Sequence, residues 1–541
     1  MAESSPSSTL ASVRWQAWLV SVVVLGTVLL VDTVSWHGAT RLDHLRAPRR
    51  YWEDLAIATA NYLYASHPRA EPERAIDDEP DYRAALQRRV LRSVDEEGIR
   101  FWQFWRCVPM ERFDAGPLRG RANDDPGRSM LSTLAFRLRG GVAPLLPLWL
   151  GVLFALLVFA WTLWEYLRVG RGVIAVAFLL CCCCSPCVVD ALVLPYGAQG
   201  FYYLALVVLV ALGAPAFFGV PPPLRGHAVR LLWGGALFAI CVLCRSGAIL
   251  MLPGFALVLA VDAWRLRRRG GAIRAVLLRV AVGLALFLTP LVLLKPARQH
   301  DVWLSMWLGL GDFDRTKGHV WADAAAKQFL AERGVEVPSR QPVWFRAAET
   351  DPLFRQGFLE SVASDPWWYA RILARRVYAT TTQMKLWPYG GNGGRSYSPA
   401  AHVNEGIIDV YYNFTTTADW LGLGPWRAEL PLPLLWAPAL VALAAVRRTG
   451  WACPVLMGSL AVAALALPVI VTTAGGIETQ AFVLVYYLGL GFAIDTFVRG
   501  LGSWPRIRTL LRTANSSATA ATAAGVGPVD TSHDTTRMEQ G

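Results

Sequence analysis

Apolar stretches long enough to cross a bilayer recur along the whole of this chain, and nothing else in the sequence constrains the fold as tightly. A hydrocarbon core about 30 Å thick takes about 20 apolar residues at 1.5 Å each. The first such block is WQAWLVSVVVLGTVLLVDTV at 15–34, and further blocks fall near 145–167, 173–189, 200–220, 229–244, 247–262, 274–294, 433–446, 452–473 and 481–498. The pattern predicts an all-α polytopic membrane protein with about ten transmembrane helices. Composition agrees, with 54% hydrophobic and only 17% charged residues, against about a quarter charged in soluble domains. The first block is too long for the core of a signal peptide and lacks a small-residue cleavage site, so it is expected to stay as an anchor.

The formal charge is +12, carried almost wholly by arginine, since lysine stands only at 295, 317, 327 and 385. With abundant Ala, Gly and Val, that bias points to a GC-rich, bacterial genome. A nucleic-acid-binding chain would gather its basic residues on one soluble face, whereas these arginines flank spans. Arg14, Arg168 with Arg171, Arg225 with Arg230, RLRRR at 265–269, Arg447 with Arg448, and Arg499 all fall on one side of the expected topology. By the positive-inside rule that side is cytoplasmic and holds both termini, and a bacterial inner membrane is the expected location. The organisation that follows is a cytoplasmic 1–14, a transmembrane region 15–294 with an exported loop at 37–143, an exported domain 295–431, C-terminal spans in 432–498, and a cytoplasmic disordered tail at 499–541. Both large loops are rich in aromatic residues and should be mainly helical. No internal repeat is evident.

Nine cysteines include the run CCCCSPC at 181–187. Successive helical positions point about 100° apart, so four consecutive cysteines cannot converge on one metal. They read as small packing residues. The large loops hold a single cysteine, Cys107, so no disulfide can join them.

Arg245 lies inside an apolar stretch from Leu231 to Val261 that has no other charge. A guanidinium at the bilayer centre costs about 2.5–3.5 kcal/mol even on the lenient insertion scale. Residues 231–262 would make one helix about 48 Å long, and basic residues flank both ends, so the chain must turn back within it. Arg245-Ser246-Gly247 is the natural turn between two arms, each too short at about 22 Å to cross fully. The arginine should then sit just below the exported surface. There it faces a cavity or polar partner, or snorkels to the headgroups.

Several segments could carry chemistry. LRAPRRYWEDLAIATANYLYASH at 45–67 reads as an amphipathic helix on the exported face, with Arg49 and Arg50 beside Glu53 and Asp54 at its start. A carboxylate held near cations could serve as general base toward a hydroxyl. The same acids equally suit an ordinary helix N-terminus. Trp102, Trp105 and Phe113 with Glu111 and Asp114 fit either an interfacial belt or a substrate platform. Asp312 and Asp314 have the spacing of a divalent-metal pair, a very short signal beside which no other cofactor is expected. Asp365-Pro366 should open a helix. PYGGNGGRS at 388–396 reads as a mobile loop, and Glu478 falls at the exported mouth of two spans. No catalytic serine or cysteine constellation and no HExxH spacing is present.

Three patches resemble the C-type polytopic glycosyltransferases, the family of the dolichyl-phosphate-mannose–protein mannosyltransferases and their bacterial relatives. These are CRSGAILMLPG at 244–254, VWLSMWLGLGDF at 302–313 with WAD at 321–323, and SDPWWYARILARRV at 364–377. The large first exported loop with its juxtamembrane helix is similar in layout. The resemblance implies transfer of a sugar from a polyprenyl-phosphate donor to an acceptor (glycan, lipid or protein) on the exported face. It implies a first-loop acid as base, Asp54 or Glu53, and cations that steady the departing lipid phosphate. Arg49, Arg50, Arg245, Glu478 and Trp307 are the expected substrate contacts. Relatives often carry an acid followed by Arg-Tyr near the last spans, where this chain has Glu478-Thr-Gln-Ala-Phe. A transporter or flippase of lipid-linked glycans, or a non-catalytic envelope assembly protein, remains the alternative class. A transporter would more often show paired halves with broken helices in matching positions.

Overall fold

The computed structural model describes residues 6–39, 92, 96–98, 103–108, 126–185, 188–189, 192, 198–219, 223–293, 302–312, 316–320, 322–337, 343, 347–382, 394–396, 410–412, 451–471 and 481–501. These form an all-helical protein, apart from two three-residue segments, Gly394–Ser396 and Val410–Tyr412, that pair antiparallel. Eight helices are long and apolar enough to cross a membrane. They are α1 (Pro6–Ala39), α3 (Leu146–Arg168), α5 (Ala198–Phe217), α6 (Leu224–Cys244), α7 (Leu252–Arg268, with a preceding 3₁₀ turn at Ser246–Met251), α8 (Ile273–Leu293), α13 (Ala452–Ile470) and α14 (Val483–Leu501). The others are α2 (Pro126–Arg139), α4 (Gly172–Cys184), α9 (Val302–Gly309), α10 (Asp323–Ala331), α11 (Ala347–Ser364) and α12 (Pro366–Thr382). The expected span at 173–189 is the shorter α4. The one expected at 433–446 lies outside the described residues, as do the tail from 502 onward and most of 37–143.

Burial ranks the spans. Every residue of Gly200–Phe217 is buried, whereas only 11% of the α1 window and 17% of the α8 window are. α5 is therefore the hub, and its sequence is apolar on all sides because every side meets protein. α1 and α8 present apolar side chains outward, as helices facing lipid do. Little hydrophobic drive exists between helices in lipid, so close backbone approach does much of the packing. A Cβ on Gly235 of α6 would lie 2.8 Å from the Phe287 carbonyl oxygen of α8, and one on Gly254 of α7 would lie 2.7 Å from the Ser459 oxygen of α13. Cys182 and Cys183 are buried in the same packing, the role expected of the cysteine run.

The spans alternate in direction and give the bundle two unlike ends. One gathers Arg171, Arg265 and Arg499, bonded to Asp495, the Ala216 oxygen and the Gly170 oxygen, and is called here the arginine end. At the other, the loop end, Tyr202 reaches the Ala464 oxygen and Tyr487 donates to Ser185. α6 and α7 form the expected hairpin, with one correction. They run to Leu224 and Arg268, so α6 is about 31 Å long and the second arm, 23 residues from Ser246 with its 3₁₀ turn, is longer still. Both can cross. The apolar window of 231–262 ended early because Arg230 and Asp262 are buried inside the helices, not left in water.

Four helices of the second loop, α9 to α12, pack around a core of their own that includes Trp307, Phe329, Phe354, Phe358, Trp368 and Ile372. Asp365 starts α12 as expected: its Oδ1 accepts from the Trp368 amide at 2.9 Å. Arg376 ties this module to the bundle. Its Nε donates to Asp312 Oδ2 at 3.0 Å, Nη2 to the Gly309 oxygen at 2.6 Å and Nη1 to the Val469 oxygen at 2.7 Å. Gly309 ends α9, where its oxygen also accepts from the Asp312 amide at 3.0 Å, and Val469 lies in the last turn of α13, so the cation bonds carbonyls at the negative ends of two helices.

Arg376→Met should leave the Asp312 carboxylate buried without its cation, a loss of about 3–5 kcal/mol by precedent for broken buried pairs. Adding Asp312→Asn should recover part of it. Thermal unfolding of the purified chain would check both. The Trp368 amide holds the Asp365 carboxyl below its ordinary range, with Lys317 adding to the effect against partial desolvation. A carboxylate depressed in the folded state stabilises above its unfolded pKa of about 3.9 and loses that contribution as the pH falls through its folded value. Asp365→Ala should therefore speed hydrogen exchange in the first turn of α12 at pH 7. The difference from wild type should vanish in strong acid.

Candidate functional site at the loop end of the bundle

Arg245 occupies the bend between α6 and the 3₁₀ turn, with extended φ −147° and ψ 93°. Its amide donates to the Cys241 oxygen at 2.7 Å and its carbonyl accepts from Ala248 at 2.9 Å, so the corner is a closed hydrogen-bonded unit. Pro253 falls in the first turn of α7, where no amide donor is needed. The arginine itself is half-buried and lies at the loop end.

Three stretches distant in sequence meet around this corner. The first loop contributes α2, whose Gly127 sits against the end of α6: a Cβ there would lie 2.7 Å from the Cys244 amide nitrogen. The last turn of α13 closes another side, since a Cβ on Gly247 would lie 3.2 Å from the Leu467 side chain. Two residues on, Val469 accepts from Arg376, so the second-loop module docks on the same helical turn. The first loop is further pinned by the Val108–Val142 bridge and by Arg139, which donates to the Trp105 oxygen at 2.7 Å.

The expected site residues fare differently. Arg245 is placed at the corner. Asp54, Glu53, Arg49, Arg50, Glu478 and Asp314 lie outside the described residues, as do Glu111 and Asp114. Trp307 is 6% exposed and stands in the module core, its ring 4.6 Å from Phe329 and 5.5 Å from Phe354. There it packs among the other aromatic rings of the module. Asp312 is wholly buried and receives Arg376.

A second polar cluster, at the arginine end, is absent from the sequence reading. Asp262 Oδ2 accepts from Arg279 Nε at 2.9 Å and lies 3.4 Å from His227 Nδ1. Arg230 is 6% exposed and donates toward the Leu212 oxygen at 3.5 Å. Glu165 is buried nearby and is paired with Arg168 at 3.4 Å. Arg230 and Asp262 line a cavity of about 10 Å³, room for roughly one water. Only one signal pointed to this cluster: Asp262 is the lone acid between the spans and the basic run that follows it.

Set against known proteins, the chain matches no family model, no curated protein and no solved structure. What the fold defines is an all-helical integral membrane protein with eight candidate spans among the described residues and a helical module at one end.

Gly127→Ala should force α2 away from the Arg245 corner, because the new methyl would meet backbone, which cannot rotate aside. Overpacking of this kind costs about 1–3 kcal/mol. Gly151→Ala on α3, with open space around it, is the matched control. A melting temperature lowered by the first variant and unchanged by the second is the expected result.

Proposed function

We propose that this chain is an integral membrane glycosyltransferase that moves a sugar from a polyprenyl-phosphate donor to an acceptor on the exported face of a bacterial inner membrane. In this reading both termini are cytoplasmic and the loop end faces outward. The observation that carries it is the convergence at the Arg245 corner of the first loop, the α6–α7 turn and the second-loop module. A guanidinium at this depth sits where a lipid-linked phosphate lies, and its planar fork suits phosphate oxygens.

The chemistry assigns a base and a cation. Asp54, with Glu53 as the second choice, takes the proton of the acceptor hydroxyl. The acceptor oxygen bonds to the anomeric carbon as the bond from that carbon to the phosphate oxygen breaks. The lipid phosphate leaves with the electron pair, and Arg245 steadies its charge, the kind of stabilisation that usually dominates in a site from which water is excluded. Arg49, Arg50 and Glu478 complete the proposed substrate contacts.

The test is sugar transfer from labelled polyprenyl-phosphate donors by the purified chain in liposomes. Asp54→Asn should lower turnover about 10²–10⁴-fold, the usual contribution of a positioned base, with donor binding nearly unchanged. Arg245→Ala should abolish transfer while insertion stays intact. Full transfer by both variants would overturn the assignment. Movement of the donor across the bilayer with no transfer would favour the flippase class.

A further inference from the structure

The carboxylates described at the arginine end are all turned inward. Asp262 serves Arg279, Glu165 serves Arg168, and Asp495 serves Arg171 and Arg499. The corner between α7 and α8 is the opposite case. Arg267, Arg268, Arg269 and Arg274 are exposed there, with exposed Arg225 at the start of the adjacent α6. Among the described residues no carboxylate pairs with any of these five.

The corner is built, not loose. Gly270, at φ +82°, closes α7 in the left-handed conformation that glycine adopts without strain. The Arg269 amide donates to the Arg265 oxygen, the Gly270 amide to the Arg267 oxygen and the Gly271 amide to the Leu266 oxygen. Backbone donors thus occupy carbonyls at the negative end of α7. Arg267 donates its Nη1 to the Gly271 oxygen at 3.2 Å, and the Arg268 guanidinium lies 4.4 Å over the ring of half-exposed Trp264. α8 begins at Ile273, so the amides of its first turn bring the positive end of a helix dipole to the same corner.

We propose that the α7–α8 corner binds the phosphodiester headgroups of anionic lipids in the leaflet at the arginine end. Four arginines and a helix N-terminus converge with no described acid to neutralise them. The Trp264 ring, at the end of a spanning helix, lies at the depth where aromatic side chains meet headgroups. Position selects lipid over other polyanions: the guanidiniums stand within about a turn of the apolar part of α7, where phosphodiesters are the anions present at high density. Guanidinium groups suit phosphate oxygens through paired hydrogen bonds. The proposal is independent of the transferase reading and of which leaflet is cytoplasmic.

The test uses the full chain in phosphatidylcholine vesicles titrated with phosphatidylglycerol, with retained lipids counted by native mass spectrometry and unfolding followed by heat. Wild type should retain phosphatidylglycerol over phosphatidylcholine and melt higher in its presence, and high salt should weaken both effects. Replacing Arg267, Arg268 and Arg269 together by Gln should lower the preference about 100-fold, at roughly fivefold per charge, with the melting temperature in pure phosphatidylcholine unchanged. The matching Lys set, which keeps the charge and the topology signal, should retain most of the preference. An unaltered preference in the Gln set, or none in wild type, would overturn the site. Equal stabilisation by free glycerol phosphate in pure phosphatidylcholine would overturn the assignment to lipid.

Discussion

One buried side chain makes the polar tie between the second-loop module and the bundle. Arg376 is almost wholly enclosed and divides its donors among Asp312, the end of α9 and the last turn of α13. Burying a guanidinium is costly unless each donor finds an acceptor and its charge a partner. Here two helix ends supply carbonyl acceptors, and a carboxylate supplies the charge. The clamp therefore satisfies the buried cation and the buried acid together. It also fixes the position of everything that α12 carries relative to Val469, and hence relative to the Arg245 corner one turn away.

The two ends of the bundle use arginine in opposite ways. At the loop end the described arginines join parts: Arg376 couples module to span, and Arg139 holds the first loop to itself through the Trp105 oxygen. At the arginine end some are internal, as with Arg279 on Asp262, while those of the α7–α8 corner stand free of acids among the described residues. Between these ends the packing is apolar and close, with small residues at the helix crossings and α5 at the centre. A bundle arranged this way has a close-packed apolar middle and two chemically distinct ends.

Much of the fold was legible in the sequence. Eight of the expected spans appear as long apolar helices, because about 20 apolar residues in a row have few other fates. The Arg245 turn was legible for a similar reason: basic residues at both ends of one apolar stretch force a return. The helix opened by Asp365 followed from capping chemistry alone. The candidate site was less so. Arg230 and Arg268 look alike in the sequence, both basic and both beside a span, yet one is buried near Asp262 and the other lies over Trp264 on the surface. The resemblance counts Trp307 among the substrate contacts. Phe329 and Phe354, 22 and 47 positions away, make it a core residue.

The sequence by itself determined that this chain is a helical membrane protein, where its apolar helices run, and that the chain turns at Arg245. Those are local properties, fixed by runs of side chains that must leave water and by a backbone that must bond to itself in lipid. Only the tertiary structure decided that α2, the Arg245 corner and the Arg376 module share the end of α13, and that Asp312 and Asp262 serve as counter-charges inside the protein. Such contacts join positions 64 or more than 100 residues apart, as with Asp312 to Arg376 or Gly127 to Cys244. No periodicity or charge count along the chain encodes which distant donor will satisfy a given acceptor; that depends on how the helices cross.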